Sequence, residues 1–300
     1  MKQNKVLVVL GPTAVGKTAL GLELARAFDG EIISGDSLQV YKTLDIGTAK
    51  ATAAEQRAIV HHLIDVRAVP ETYSVHDFVH EATAAIWDIL ARGKVPIIVG
   101  GTGLYVQALT DGFHLGGNED HAAVLAYRKT LSALTDEQLR ALTDDLDISE
   151  WNVRRAIRAL EHAKFGGQLA NARSPFDFCL IGLTADRALL YERINTRVDA
   201  MMGQGLMAEA QQLYDNYPNA QAAQGIGYKE LFAYFDGLID LMPAVEKIKQ
   251  NTRHYAKRQL TWFKNRMPVT FFDSFNPDTD AQIMTYAKEF LHDTHSNKLD

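Results

Sequence analysis

Gly11, Pro12, Thr13, Ala14, Val15, Gly16, Lys17 and Thr18 satisfy the pattern G-x-x-x-x-G-K-[ST], a spacing that grips phosphate. The glycines permit backbone dihedrals that turn successive N–H groups inward around an anion. Lys17 is placed to reach terminal phosphate oxygens, and the Thr18 hydroxyl can ligate Mg²⁺. Asp36 is a second candidate, either as a carboxylate that takes a proton or binds Mg²⁺ through water, or as a plain turn former. Ser37, Gln39 and Tyr41 make its surroundings polar enough to read a substrate. Gly100-Gly101-Thr102-Gly103 is the third, either a loop that a substrate can approach closely or a simple strand-to-helix turn.

These candidates need elements to position them. Val6 to Leu10 is a continuous apolar run, as in a buried parallel strand, and it ends at the phosphate loop. A helix is predicted over 18–28, a strand over 31–34, a helix over 74–92 and a strand over 95–99. Strand alternating with helix implies a parallel sheet with right-handed crossovers, and ligands bind beyond the carboxyl ends of such strands. The phosphate loop, Asp36 and the 100–103 loop each follow a strand and are expected to meet in one crevice. From 114 to 173 only helical spacing appears, over 121–133, 135–144 and 149–165, closed by Gly166-Gly167. Strands return at 178–184 and 269–272, with helices over 187–216, 243–265 and 278–292. The expected fold is therefore an α/β, P-loop NTPase-like parallel sheet flanked by helices and carrying an all-helical insertion. Its core comprises 1–113 and 174–300, and the insertion is 114–173.

Composition narrows the setting. The 300 residues are 47% hydrophobic and 23% charged, ordinary for a globular enzyme, and no apolar run is long enough for a membrane span. A single cysteine, Cys179, cannot form an internal disulfide and sits in an apolar run, which fits a buried side chain and a reducing cytoplasm. The net charge of −6 is unevenly spread. Residues 247–266 hold seven Lys/Arg, among them Arg253, Lys257 and Arg258, and no acid. Arg154, Arg155 and Arg158 form a second cluster. Each is either a solvated helix face or part of a phosphate-backbone footprint. The tail 297–300 spells NKLD, but no D-x-x-G accompanies it, so a GTPase is disfavoured. His76 with His80, and His61 with His62, are weak metal candidates without a third ligand.

Taken together, the blocks GPTAVGKTAL (11–20), ISGDSLQVYKTLDIGTAK (33–50), HHLIDV (61–66), IVGGTGLY (98–105), NVRRAIRALE (152–161), RINTRVDAMMGQGLMAEA (193–210), QGIGYKEL (224–231) and TRHYAKRQLTWFK (252–264) resemble the bacterial tRNA dimethylallyltransferases, also called tRNA isopentenyltransferases. Leu38, Thr43-Leu44 and Ala51 depart from common family residues, and Leu38 bears on a tRNA contact. The resemblance implies transfer of a dimethylallyl group from dimethylallyl diphosphate to the exocyclic amine of the adenine 3′ of the anticodon. By that analogy Lys17, Thr18-bound Mg²⁺, the loop amides and Arg197 stabilise the leaving diphosphate. Asp36 is then the general base and Thr102 holds the adenine. Ser37, Leu38 and Gln39 contact neighbouring nucleotides, and the three insertion arginines with Arg253, Lys257 and Arg258 hold the anticodon stem-loop. A cytoplasmic monomer is expected. A P-loop small-molecule or nucleotide kinase and a nucleotide-dependent RNA-binding protein are the alternatives.

Overall fold

The computed structural model describes residues 4–113, 121–165 and 173–293. It divides the chain into two compact units, Met1–Asp111 with Ser174–Asp300, and Gly112–Arg173.

The larger unit is built on β1 (Lys5–Leu10), β2 (Gly30–Gly35), β3 (His61–His62), β4 (Val95–Gly100), β5 (Asp177–Thr184) and β6 (Thr270–Asp273). They form one sheet in the order β3-β2-β4-β1-β5-β6, and every pairing is parallel. Helices α1 (Lys17–Ala27), α2 (Ala53–Ala58), α3 (Val75–Ala91) and α4 (Gly103–Thr110) are interleaved with the first four strands. Alternate strand residues enter two cores, as the two-residue period of a strand requires. Val6, Val8, Leu10, Ile33 and Ile98 belong to one core, and Leu7, Val9, Ile32, Ile97 and Ile181 to the other. Cys179 is buried in the second core, where desolvation pushes its thiol up to about 11 and leaves it unreactive.

The register decides where chemistry can occur. Leu10 pairs with Gly100, and Gly100 with Gly35, so the three strands end on one line. The segments that follow therefore begin side by side, as the strand–helix alternation predicts.

The smaller unit holds α5 (His121–Ser132), α6 (Asp136–Leu142) and α7 (Val153–Phe165) around Leu131, Leu139, Ala156 and Leu160. The expected closure at Gly166-Gly167 and the NKLD tail lie outside the described residues. Beyond β5 come α8 (Arg187–Gln204), α9 (Leu206–Asn216), α10 (Tyr228–Phe235), α11 (Leu241–Arg266) and α12 (Thr279–His292). The single helix expected over 187–216 is in fact two, broken at Gly205, whose φ of 109° is left-handed. Among the described residues, no helix is long and apolar enough to cross a membrane.

Candidate active site

The phosphate loop joins β1 to α1. Gly16 at its end has φ 111° and open space where a Cβ would stand, so conformation rather than crowding calls for glycine there. Ala14 shares the left-handed region at φ 65°, an uncommon state for a residue with a side chain and a local strain of the kind found at ligand sites. Gly11, Pro12 and Val15 are buried behind the loop, whereas Thr13, Ala14, Gly16, Lys17 and Thr18 line a cavity of about 360 Å³. Asp36, Gln39, Gly100, Gly101 and Arg197 line the same cavity, so the three strand-end segments do converge.

The cavity is strongly cationic. Arg193 and Arg197 project into it from one face of α8, four residues apart. Burial pulls the Lys17 ammonium down to about 7; Asp36 acts against that shift and Arg197 with it. Lys17 Nζ donates to the Pro12 carbonyl at 2.7 Å. Burial also lowers Arg197, again opposed by Asp36 and reinforced by Arg193. Three cations thus crowd one carboxylate in a partly dry space, a state that a polyanion would relieve.

Asp36 shapes its turn and faces the cavity at the same time. Its Oδ1 accepts the N–H groups of Leu38 at 2.8 Å and Gln39 at 3.3 Å, fixing the turn after β2. Its carboxylate still faces the cavity, close enough to Lys17, Arg197 and Tyr255 to bias all three. Thr102 Oγ1 accepts the Ser37 N–H at 3.0 Å and donates to Ser37 Oγ at 3.4 Å, binding the turn to the 100–103 loop. The glycines of that loop are occupied by the protein itself. A Cβ on Gly101 would stand 2.2 Å from Gln259 Nε2, so glycine there permits close packing against α11 while Gly100 and Gly101 still line the cavity.

The remaining sequence candidates differ in their surroundings. Leu38 is half-buried against the core, and the Gln39 amide is committed to Ser34, Thr48 and Ala49. Lys257 and Arg258 are exposed on α11, while Arg253 on the same helix donates to Asn195 Oδ1 at 2.6 Å. In the smaller unit Arg154 is exposed on α7. Arg155 pairs with Glu150, and Arg158 joins Arg128 on buried Glu161. His62 pairs with Glu31, and His61, lowered by burial, lines the cavity instead. Among the described residues no cluster of three or more His, Cys, Asp or Glu could hold a metal.

Several cavity residues escape the sequence reading of the site, among them Arg193, Gln259, Ile64 and Tyr255, the last legible only as an aromatic within a basic stretch. Tyr255 is held well above the usual phenol range by burial and by Asp36. The signal for Arg193 is its four-residue spacing to Arg197. The apolar wall of Ile32, Ala49, Ala51, Ile64 and Val99 has no motif, because it draws on separate segments.

A parallel sheet ending in a phosphate loop, with a carboxylate facing a cationic, partly apolar cavity, defines an enzyme that handles a phosphorylated substrate together with a proton-bearing one. Comparison with known proteins makes this specific. The IPP transferase family model matches residues 39–266. The chain is 62% identical to a tRNA dimethylallyltransferase of Streptococcus mutans, over 96% of this chain and 99% of that one. It is 60% identical to the Lactococcus lactis enzyme of the same name, over 97% and 100%. The crystal structure of a full-length tRNA isopentenylpyrophosphate transferase from Bacillus halodurans superposes with a TM-score of 0.76 at 43% identity, covering 96% of this chain and 97% of that one. A eukaryotic dimethylallyltransferase acting on tRNA gives 0.81 at 29% identity, covering 96% and 79%. The chain belongs to the IPP transferase family, and the kinase alternative is not favoured.

Proposed function

We propose that the protein transfers the dimethylallyl group of dimethylallyl diphosphate to the N6 amine of adenine 37, immediately 3′ of the anticodon, in tRNAs reading codons that begin with U. Diphosphate is the other product. The observation that carries this reading is the cavity itself, where the phosphate loop, Lys17 and Arg197 share one space with Asp36 and an apolar wall. Prenyl transfer from a diphosphate needs that combination.

The chemistry follows from charge. The adenine amine is a poor nucleophile because its lone pair is delocalised into the ring. The allylic C1 compensates by developing stabilised positive charge as its C–O bond breaks. The largest task is therefore to stabilise the departing diphosphate, and Lys17, Arg197 and the loop N–H groups are set to do so. As the N6–C1 bond forms, Asp36 accepts the proton that N6 loses. Thr102, tied to Ser37, orients the adenine, which must leave its stack to reach the cavity.

The residues fit a magnesium ion held mainly by its substrate. Thr18 is exposed at the cavity and Asp36 faces it, but no full protein cage exists among the described residues. Mg²⁺ typically binds phosphates with one or two protein ligands and several waters. When bound at Thr18, it supplies further charge neutralisation at the diphosphate.

The anticodon stem-loop is gripped by Arg154, Arg155 and Arg158 of the helical insertion and by Lys257 and Arg258 on α11, where Arg253 is instead tied to Asn195, with Ser37, Leu38 and Gln39 beside the reacting base. The enzyme works as a cytoplasmic monomer. The decisive assay mixes purified protein and unmodified tRNA with allyl-labelled dimethylallyl diphosphate or γ-labelled ATP. Label enters tRNA from the allyl donor alone; phosphate transfer from ATP to an acceptor would overturn the assignment.

A further inference from the structure

Gln259 sits on the inner face of α11, only 5% exposed, and its one amide serves two loops. Oε1 accepts the N–H of Thr13 in the phosphate loop at 2.8 Å. Nε2 donates to the carbonyl of Gly101 at 2.9 Å. The two loops are far apart in sequence and reach Gln259 from different strands, β1 and β4. The contact at Gly101 is so close that a Cβ there would collide with Nε2 at 2.2 Å.

We propose that Gln259 is a positioning residue that sets the separation between leaving group and nucleophile, an inference that rests on the transferase reading above. Its acceptor end fixes the loop that holds the diphosphate. Its donor end fixes the loop whose Thr102 orients the adenine. The transfer needs N6 in line with the breaking C1–O bond, at roughly 3–3.5 Å from C1, and an error of about 1 Å costs on the order of a hundredfold in rate. A rigid link between the loops supplies that alignment before either substrate arrives.

The residue type matches the task. An amide carries a donor and an acceptor on one planar group, with no charge. A carboxylate at this position would face the Gly101 carbonyl and compete for Lys17 and Arg197. A lysine or arginine would offer Thr13 no acceptor. Buried and bonded at both ends, the Gln259 side chain has little rotamer freedom left, so it acts as a spacer rather than as a mobile contact.

Two variants of the full-length protein test this from opposite sides. Gln259→Met keeps length and removes both hydrogen bonds; Gly101→Ala displaces Nε2 from the other loop. The readouts are kcat for transfer to unmodified tRNA, the separate Kd values for dimethylallyl diphosphate and for tRNA, and the number of binding-competent sites from stoichiometry. Each variant is expected to lose about thirtyfold to a hundredfold in kcat per competent site, with both Kd values within about threefold of wild type. The double variant should fall no further than the worse single one by more than about threefold, because both changes break one link. Unchanged kcat per site, a loss confined to Kd, or multiplicative losses in the double variant would overturn the inference. If Gln259→Met does not fold, Gly101→Ala decides alone through the same kcat and Kd split. A wild-type protein that moves no allyl group to tRNA would refute the transferase reading instead, and is seen in the control.

Discussion

The Thr102 hydroxyl accepts the Ser37 backbone N–H at 3.0 Å, tying the segment after β4 to the turn after β2. That turn is the one Asp36 shapes through Leu38 and Gln39, so Asp36, the proposed base, and Thr102, proposed to orient the adenine, are parts of one hydrogen-bonded unit. Thr102→Ala leaves the Ser37 N–H without its partner and loosens this unit. The expected result is a fall in kcat of about tenfold to a hundredfold, with diphosphate affinity little changed. Thr102→Ser keeps the hydroxyl and should stay within about threefold of wild type. Steady-state transfer kinetics on both variants check the pair, and equal losses would remove the hydroxyl from the explanation.

The turn that Asp36 forms and the base role proposed for it can be parted by two substitutions. Asparagine retains an oxygen that can accept the Leu38 and Gln39 N–H groups but is no base. Asp36→Asn should lower kcat by about 10²–10⁴-fold while tRNA affinity and thermal midpoint hold. Asp36→Ala loses the turn as well, adding about 1 kcal/mol of destabilisation from the lost hydrogen bonds. Turnover by Asp36→Asn near the wild-type rate would show that the proton leaves by another route.

Lys17 gives a pH signature whose sign follows from its environment. In the free enzyme burial holds it at about 7, so it is an ammonium below that pH and a neutral amine above it. The diphosphate attracts the charged form only. Affinity for dimethylallyl diphosphate should therefore fall as pH rises through about 7, approaching tenfold per unit, while binding itself pulls the lysine back to its charged state. Isothermal titration between about pH 6 and pH 9 brackets that transition and measures this. Lys17→Met should bind weakly with that fall abolished; an identical fall in the variant would assign it to another group.

Glu209 on α9 receives the N–H groups of Asp45 at 2.7 Å, Ile46 at 2.9 Å and Gly47 at 2.8 Å, and the Tyr228 hydroxyl at 2.8 Å. It anchors the segment whose next residues, Thr48, Ala49 and Ala51, wall the cavity. Glu209→Ala should cost about 2–4 kcal/mol, because charged hydrogen bonds are lost and several donors are stranded together. Glu209→Gln keeps one acceptor oxygen and should cost about half as much. Urea unfolding midpoints decide; a loss below about 0.5 kcal/mol for the alanine variant would mean that water replaces the carboxylate.

How much of this is legible in the sequence depends on how local each feature is. The phosphate loop, Asp36 and Thr102 can be placed because each directly follows an apolar strand, and parallel register brings strand ends together. Glu209 and Gln259 cannot, since their partners lie far away in the chain and only helix packing selects them. The two-residue β3 is too short to show any period. The helix break at Gly205 is a backbone state, and a glycine within helical spacing does not by itself announce it. Glycines at 100–103 suggest room for substrate, but at Gly101 the room is taken by Gln259.

Charge along α11 is also visible in the sequence, but not its division of labour. Arg253 turns in to Asn195, whereas Lys257 and Arg258 stay exposed. Only exposed cations can release counterions from RNA phosphates, at about 0.7–0.9 of a unit of salt slope per contact. Lys257→Ala with Arg258→Ala should weaken tRNA binding and flatten the plot of log K against log salt by about 1.5 units. Arg253→Ala should leave that slope nearly unchanged and act on packing against α8 instead. Filter binding of tRNA across a range of salt concentrations separates the two. A slope unaffected by the double substitution would remove α11 from the RNA footprint, and a slope that drops with Arg253→Ala alone would mean that this side chain leaves Asn195 when tRNA binds.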